Sequence, residues 1–574
     1  MSTSPGRRLL RAFLLTLLGS MISTGSAVAG GDGESTRPYW VFFADKGLRD
    51  IQQEQTAIDA AARSLTDRAL RRRAKVRAHA VDLLDVPVAP DYVREVLETG
   101  AQHRTTSRWL NAVSVDATDT QIAALEALPF VAKVQAVARR LHESVDVIPV
   151  IPGWEHPLRY TLNYGECLSQ LEPIQVPLLH DQGLSGSGVL ICMLDTGYLR
   201  IHDALTGVSV VAERDFINDD AVTSNEPGDP DGQHNHGTYT LSLIGGFAPG
   251  NLIGPAYGAD FALAKTEDIS DETPVEEDYW VEGIEWADSL GSDVASSSLS
   301  YKDWYTYEDM DGNTAVTTIA ADLAVLNGIV VVVSAGNSGS SEWHYISAPA
   351  DGDSVMAIGA VDSVGVLADW SSRGPTYDGR TKPDVVAMGV SDLVALVDDP
   401  QGYARGSGTS FSCPIVGGVC ALLLESHPEW TPMQVAEALK LTALNAANPD
   451  SSYGWGLVQA SDANDHTFTD VVESESLPGP DAGLALRVHP NPCWGGATLS
   501  FSLRSRSAGP VELRIYDARG RRVRTLIDSH ELSMNPSVIW DGCNEKGCPV
   551  AAGVYFARLR VGRTESRVPV VVLR

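Results

Sequence analysis

The segment Gly406-Ser407-Gly408-Thr409-Ser410-Phe411-Ser412-Cys413-Pro414, followed by IVGGVCALLL, constrains this chain more than any other stretch. Its glycines let the backbone turn sharply, and the small, apolar run behind them reads as a helix. A helix start carries unpaired N–H groups and the positive end of the helix dipole, so Ser410 stands where a developing negative charge would be stabilised. A plain helix cap would also use the glycines. It would not call for Pro414 inside the helix start as well.

Two motifs upstream carry the partners such a serine needs. At Val189-Leu190-Ile191-Cys192-Met193-Leu194-Asp195-Thr196-Gly197, a buried strand delivers a carboxylate at its C-terminal end, where open α/β sheets place catalytic groups. Gln233-His234-Asn235-His236-Gly237-Thr238 presents a histidine just ahead of an apolar helical segment. Taken singly, each is weak: Asp-Thr-Gly after a strand is common, and a lone histidine is more often structural. The order Asp195, His236, Ser410 is one of the orders in which nucleophile, base and orienting acid are known to occur, and it is the order of subtilisin.

LDTG, HGT, SAGNSG and GTSFSCP each resemble a motif of the subtilisin-like protease family, over roughly residues 164 to 464. The resemblance implies an α/β fold, a doubly wound parallel sheet with helices on both faces. It implies Ser410 as nucleophile, His236 as general base and then acid, and Asp195 as the group that holds the imidazole tautomer. It also implies that Asn337 supplies an oxyanion-hole amide and that Ser298, Leu299 and Ser300 form a substrate-pairing strand. The chain departs from the family at Tyr239, where a second histidine is usual, at Ser412 and Cys413, where an alanine pair is usual, and at Ser300, where glycine is usual. Altered packing is expected around the site, and the cleavage preference is left open.

The N-terminus has Arg7, Arg8 and Arg11, an apolar run to Ile22 and then Ala27-Val28-Ala29, the order of a signal peptide over residues 1–29, with an uncleaved signal anchor as the rival. Residues 36–143 read as a small α+β unit. Pro38–Ala44 is a strand, about Asp50 to Asp82 a long helix, Leu110–Val115 a strand, Thr118 and Gln121 a capping box, and Val131–Val137 a strand. The basic run from Arg63 to Arg77 is expected to be a solvated helix face, the rival being that it docks on an acidic neighbour in the same chain. The SVDATDTQIAALEALPFVAKVQ segment resembles the inhibitory propeptide of subtilisin-like proteases, which implies a zymogen whose own propeptide is an inhibitor.

Residues 465–483 are acidic and Pro/Gly-rich and read as a linker. Beyond them LALRV, ATLSFSL, VELRIYD, VIWDG, GVYFARL and VPVVV read as strands of a β-sandwich over 484–574. This part resembles the immunoglobulin-like C-terminal module of secreted bacterial enzymes, which implies a sorting or cell-surface role and no chemistry.

A formal net charge of −31 excludes nonspecific nucleic-acid binding. The chemistry calls for no cofactor. Two acidic segments leave structural calcium open: Asp219, Asp220, Glu226, Asp229 and Asp231, and Asp309, Asp311 and Asn313 around Gly312. Neither carries a complete ligand pattern, and solvated loops are the expectation. Seven cysteines are too few for a disulfide framework, with Cys543 and Cys548 the pair best placed to close. The expected protein is therefore a secreted serine endopeptidase acting on protein or peptide substrates. The rival classes are a noncatalytic surface-binding protein on the same scaffold and an esterase using the same triad.

Overall fold

The computed structural model describes residues 35–468, apart from 78, 138–146, 151–158, 271–275 and 303–304, and beyond 483 it describes the strands named below with parts of their connections. The expected signal peptide and nearly all of the linker, 469–483, lie outside the described residues.

Two central strands buried on both faces, β1 (Arg37–Phe43) and β3 (Ala112–Ala117), and two more exposed edge strands, β2 (Gln102–Ser107) and β4 (Val131–Ala136), form an N-terminal sheet, antiparallel in the order β2-β3-β1-β4. Tyr39, Val41 and Phe43 face a small core with Val113, Val115 and Leu125. Trp40, on the other face, joins the core of the next domain. The capping box at Thr118 and Gln121 is formed and starts a helix over Asp119–Glu126. The expected single helix over 50–82 is corrected to α1 (Ile51–Ala62) and α2 (Asp67–Arg73), because Thr66 caps a new helix through Ala69 N–H while its own hydroxyl donates to Leu290 O. The solvated-face reading of the basic run is corrected in part, since Arg63, Arg71 and Lys75 stay exposed while Arg68, Arg72, Arg73 and Arg77 dock on the next domain. Arg72 and Arg73 are 2% and 0% exposed, because the following domain offers Asp288 against them.

A short strand, β5 (Val147–Val150), follows. Then comes a parallel sheet of seven strands: β6 (Leu190–Asp195), β7 (Ser209–Asp215), β8 (Asp260–Lys265), β9 (Val294–Ser297), β10 (Val330–Ser334), β11 (Met356–Val361) and β12 (Val385–Met388). Their order is β12-β11-β10-β9-β6-β8-β7. In β6, Ile191 and Met193 enter one core while Leu190, Cys192 and Leu194 enter the other, so continuous apolar runs are what a sheet covered on both faces requires. The helices that matter for the site are α3 (Asn235–Gly245), α4 (Glu276–Leu290), α5 (Val316–Leu326) and α6 (Thr409–Ser426). Helix α6 is apolar and long enough to cross a membrane, but 83% of it is buried, as befits the central helix of a packed domain. A hairpin of β13 (Asp392–Ala395) and β14 (Tyr403–Gly406) leads into α6, and β5 pairs antiparallel with β14, Val147 opposite Gly406.

The C-terminal part forms two sheets. One is β15 (Leu484–His489), β17 (Ala497–Leu503) and β20 (Ser537–Trp540). The other is β16 (Cys493–Trp494), β18 (Val511–Asp517), β19 (Arg522–Ser529), β21 (Gly553–Val561) and β22 (Thr564–Leu573). Leu499 and Trp540 of the first share a core with Leu513, Leu559 and Val570 of the second. Strand β19 was not expected from its arginine-rich sequence. Cys548 lies outside the described residues, so its pairing with Cys543 has no structural description.

Candidate active site

Strand β6 ends on Asp195, which is 1% exposed, and the chain then turns through Gly197 at φ +128°. A Cβ on Gly197 would stand 2.6 Å from Thr223 O, so the turn takes no side chain. The carboxylate accepts hydrogen bonds from Thr196 N–H at 2.7 Å, from the Thr240 hydroxyl at 3.0 Å and from His236 Nδ1 at 2.6 Å. Burial alone would raise the Asp195 carboxyl, but His236 and these donors outweigh it and hold the group below its ordinary range. An ionised carboxylate can only accept, so the proton of the short bond sits on Nδ1 and leaves Nε2 to act on a substrate or nucleophile.

His236 lies in the first turn of α3. Gly237 beside it is forced, since a Cβ there would stand 2.1 Å from Gly197 O, and the helix could not approach the Asp195 turn. The neighbouring His234 is structural, because its Nδ1 accepts from Asn225 N–H at 2.8 Å and so fixes the preceding loop.

Ser410 is in the first turn of α6 and 6% exposed. In this conformer its hydroxyl donates to Ser298 O at 3.3 Å, and its own carbonyl accepts from the Ser298 hydroxyl at 2.9 Å. Gly406 makes room for the turn, as a Cβ would stand 2.2 Å from the Phe411 ring. Tyr239 meets Phe411 edge-on, ring centroids 6.5 Å apart, which seats the His236 end of α3 beside the Ser410 end of α6.

Asn337 follows β10 and is half-buried. Its Oδ1 accepts from Thr409 N–H at 2.9 Å and from the Thr409 hydroxyl at 3.0 Å, an arrangement that directs the Nδ2 amide away from Thr409. Neither Thr409 nor Thr240 was given a role from the sequence. Thr409 stands within a motif that was singled out; Thr240 carries no local signal.

Of the three strand residues, Ser298 touches Ser410, Leu299 is fully buried in the core beside Trp280, and Ser300 is half-buried. The departures are packing solutions. Tyr239 fills space against Phe411, the Ser412 hydroxyl donates to Thr409 O at 3.0 Å, and the Cys413 thiol donates to Ser297 O at 3.4 Å, with burial pushing its pKa up to about 12.

The first acidic segment is partly gathered. Asp220 and Glu226 meet Asp215, a residue not singled out from the sequence, with ligand oxygens all within 4.8 Å of one another. The oxygen-only donor set suits calcium. Asp215, however, already shares the buried ammonium of Lys265 with Asp229, at 2.7 Å each, and Asp219 pairs with Arg214. Asp231 is exposed. In the second segment Asp309 caps Thr306 and Asp311 accepts from Asn313 N–H, and these are not drawn into a ligand cluster among the described residues.

The subtilase family model matches residues 186–456, and the model of a peptidase S8 propeptide domain found in Bacteroidota matches residues 38–147. Subtilisin E of Bacillus subtilis is 34% identical over 314 residues, 54% of this chain and 72% of its own length. Subtilisin of Bacillus pumilus is 35% identical over 299 residues, 51% of this chain and 97% of its own length. Among solved structures, fervidolysin from Fervidobacterium pennivorans, a keratinolytic enzyme related to subtilisin, superposes with a TM-score of 0.54 at 20% identity, over 94% of this chain and 77% of that one, a likeness of fold alone.

Proposed function

Because this chain belongs to the subtilase family and is a serine endopeptidase made with a propeptide, we propose that Asp195, His236 and Ser410 are its catalytic triad. The observation that carries this assignment is the 2.6 Å bond between His236 Nδ1 and the buried Asp195 carboxylate. Ser410 Oγ turns from Ser298 O towards His236 Nε2, loses its proton to that nitrogen and attacks the scissile carbonyl. His236 then returns the proton to the leaving amine, and water repeats the sequence on the acyl-enzyme. The Ser410 N–H and Asn337 Nδ2 hold the tetrahedral oxyanion. Such an amide contributes about 2.7–4 kcal/mol, a figure that comes from a subtilisin. Ser298, Leu299 and Ser300 offer their backbone to an extended substrate.

The same reading divides the chain into a signal peptide at 1–29, an inhibitory propeptide at 36–143, the catalytic domain at 164–464, a linker at 465–483 and an immunoglobulin-like module at 484–574 that holds the exported enzyme at a surface or sorts it there. Calcium at Asp215, Asp220 and Glu226 would be a structural ion with no part in bond cleavage. The test is hydrolysis of labelled casein and of a small ester by the wild type and by Ser410→Ala. The account requires casein cleavage that disappears in the variant. Ester turnover without casein cleavage would make the protein an esterase.

A further inference from the structure

The stretch between β1 and the helix beginning at Pro90 forms an arm, α1 and α2, that belongs to neither sheet. Its α2 end reaches the catalytic domain at a place far from Ser410. Arg68 donates to Gly188 O at 2.7 Å, to Gly291 O at 3.1 Å and to the Asp293 carboxylate. Arg72 donates to Ser292 O at 2.6 Å, to Asn327 O at 3.1 Å and to Asp288. Arg73 grips both oxygens of Asp288 and also Asp85 of its own module at 2.7 Å, and Arg77 reaches the Asn327 side chain.

Two glycines on the catalytic domain shape the seat. A Cβ on Gly291 would stand 2.6 Å from Ala69 N, and one on Gly328 would stand 3.2 Å from Arg72 O. Asp288 is itself 0% exposed, with Arg72 and Arg73 sealed over it.

The topology gives this contact its meaning. Gly188, Asp293 and Asn327–Gly328 immediately precede β6, β9 and β10, so the arm docks at the N-terminal edge of the parallel sheet. Asp195 ends β6 and Asn337 follows β10, so the candidate active site occupies the opposite, C-terminal edge. At roughly 3.3 Å per residue, the six residues of β6 separate the two edges by about 17 Å.

Resting on the reading of this module as the inhibitory propeptide, we propose that α2 is an anchor independent of the active site: its arginines hold the severed module on the catalytic domain, and the face they leave, centred on Asp288, is a guanidinium-binding surface for this arm. Fork-shaped guanidinium groups meeting carboxylate and carbonyl oxygens give the surface its selectivity for arginine over lysine. Because Arg72, Arg73 and Asp288 are dry, salt screens them far less than it screens a surface pair. Removing Arg72 and Arg73 leaves the buried Asp288 carboxylate with only the longer contact to Arg108, at 3.4 Å, which is a penalty for the docked state.

The test uses the full chain carrying Ser410→Ala, an affinity tag ahead of Pro38 and a site for an unrelated protease inserted within 138–146. Severing the chain there needs no catalysis by Ser410, so the outcome does not depend on the activity assignment. The anchor predicts that the catalytic domain stays with the captured module after the cut, in 1 M as in 0.15 M NaCl. With Arg72→Ala and Arg73→Ala together, release should quicken at least tenfold. Arg68→Ala, at the partly exposed rim, should quicken it two- to fivefold and decides the matter if the double variant does not accumulate folded. Arg37→Ala, whose pair with Asp119 lies within the module, should change nothing. Release of the parent chain on cutting, or arginine variants that release no faster than it does, would overturn the proposal.

Discussion

His236 Nδ1 lies 2.6 Å from Oδ1 of Asp195, and the other carboxylate oxygen is held by the Thr240 hydroxyl at 3.0 Å. One oxygen orients the imidazole while the second meets a hydroxyl of the same helix, whose single proton is shared with Gly237 O at 3.0 Å, and this contact resists rotation of the carboxylate when the ring moves. Asp195→Asn keeps the size and reverses the hydrogen-bond chemistry, favouring the wrong imidazole tautomer. The expected outcome is a fall in kcat of roughly 10⁴-fold, with KM little changed, the scale seen when a triad acid becomes an amide. Steady-state kinetics on a peptide amide check it, and a loss below tenfold would remove Asp195 from the proposed role.

Thr409 binds Asn337 Oδ1 twice, through N–H and hydroxyl. Thr409→Ser and Thr409→Val separate methyl from hydroxyl, whereas Thr409→Ala removes both while keeping the N–H bond, and Gly336 N–H loses its bond to the hydroxyl as well. The variant should lose roughly tenfold in kcat at nearly constant KM, while Asn337→Ala loses about 10²–10³-fold. In the double variant the threonine should no longer matter, because it acts through the asparagine. Additive losses would contradict this.

Asp392, opposite Gly406 in the hairpin that leads to Ser410, is 0% exposed, and neither carboxylate oxygen has a side-chain hydrogen-bond partner among the described residues. Burial outweighs the nearby Arg405 and raises its pKa to about 8. Between the unfolded value near 3.9 and about 8 the folded state binds the extra proton. Stability must therefore fall as pH rises through that window, by at most about 1.4 kcal/mol per pH unit. Asp392→Asn should melt above the wild type at pH 8, the difference shrinking to nothing near pH 4. A difference that does not vary with pH would show that the carboxyl does not titrate there.

The two C-terminal sheets bury their own apolar core around Trp540 and Leu513. A chain ending at Gly479 should keep its peptide turnover within a few-fold and change its distribution between medium and cell surface. An inactive or insoluble product would mean that the sandwich supports the catalytic domain. An unchanged distribution would remove the surface role.

Legibility followed the range of the interaction. Asp195, His236, Ser410 and Asn337 each sit in a short motif whose glycines are needed locally, as the 2.1 Å approach of a Gly237 Cβ to Gly197 O illustrates, so motif and family resemblance together could offer them as candidates. Arg72 and Arg73 were misread because periodicity describes a helix without its partner, and Asp288 comes from a distant part of the chain. The break between α1 and α2 has a related cause, since Thr66 N–H and hydroxyl are both satisfied across the interface, by Ser289 O and Leu290 O. Strand β19 was hidden by Arg522 and Arg524, which interrupt apolar alternation on a partly exposed strand.

The most direct measurement is the mass and location of a covalent adduct. Wild-type enzyme treated with a serine-directed phosphonate or sulfonyl fluoride, digested and sequenced by mass spectrometry, should carry one label on Ser410, in proportion to the activity lost, and Asp195→Asn should label far more slowly. A label on another serine, or full inactivation with Ser410 unmodified, would contradict the account.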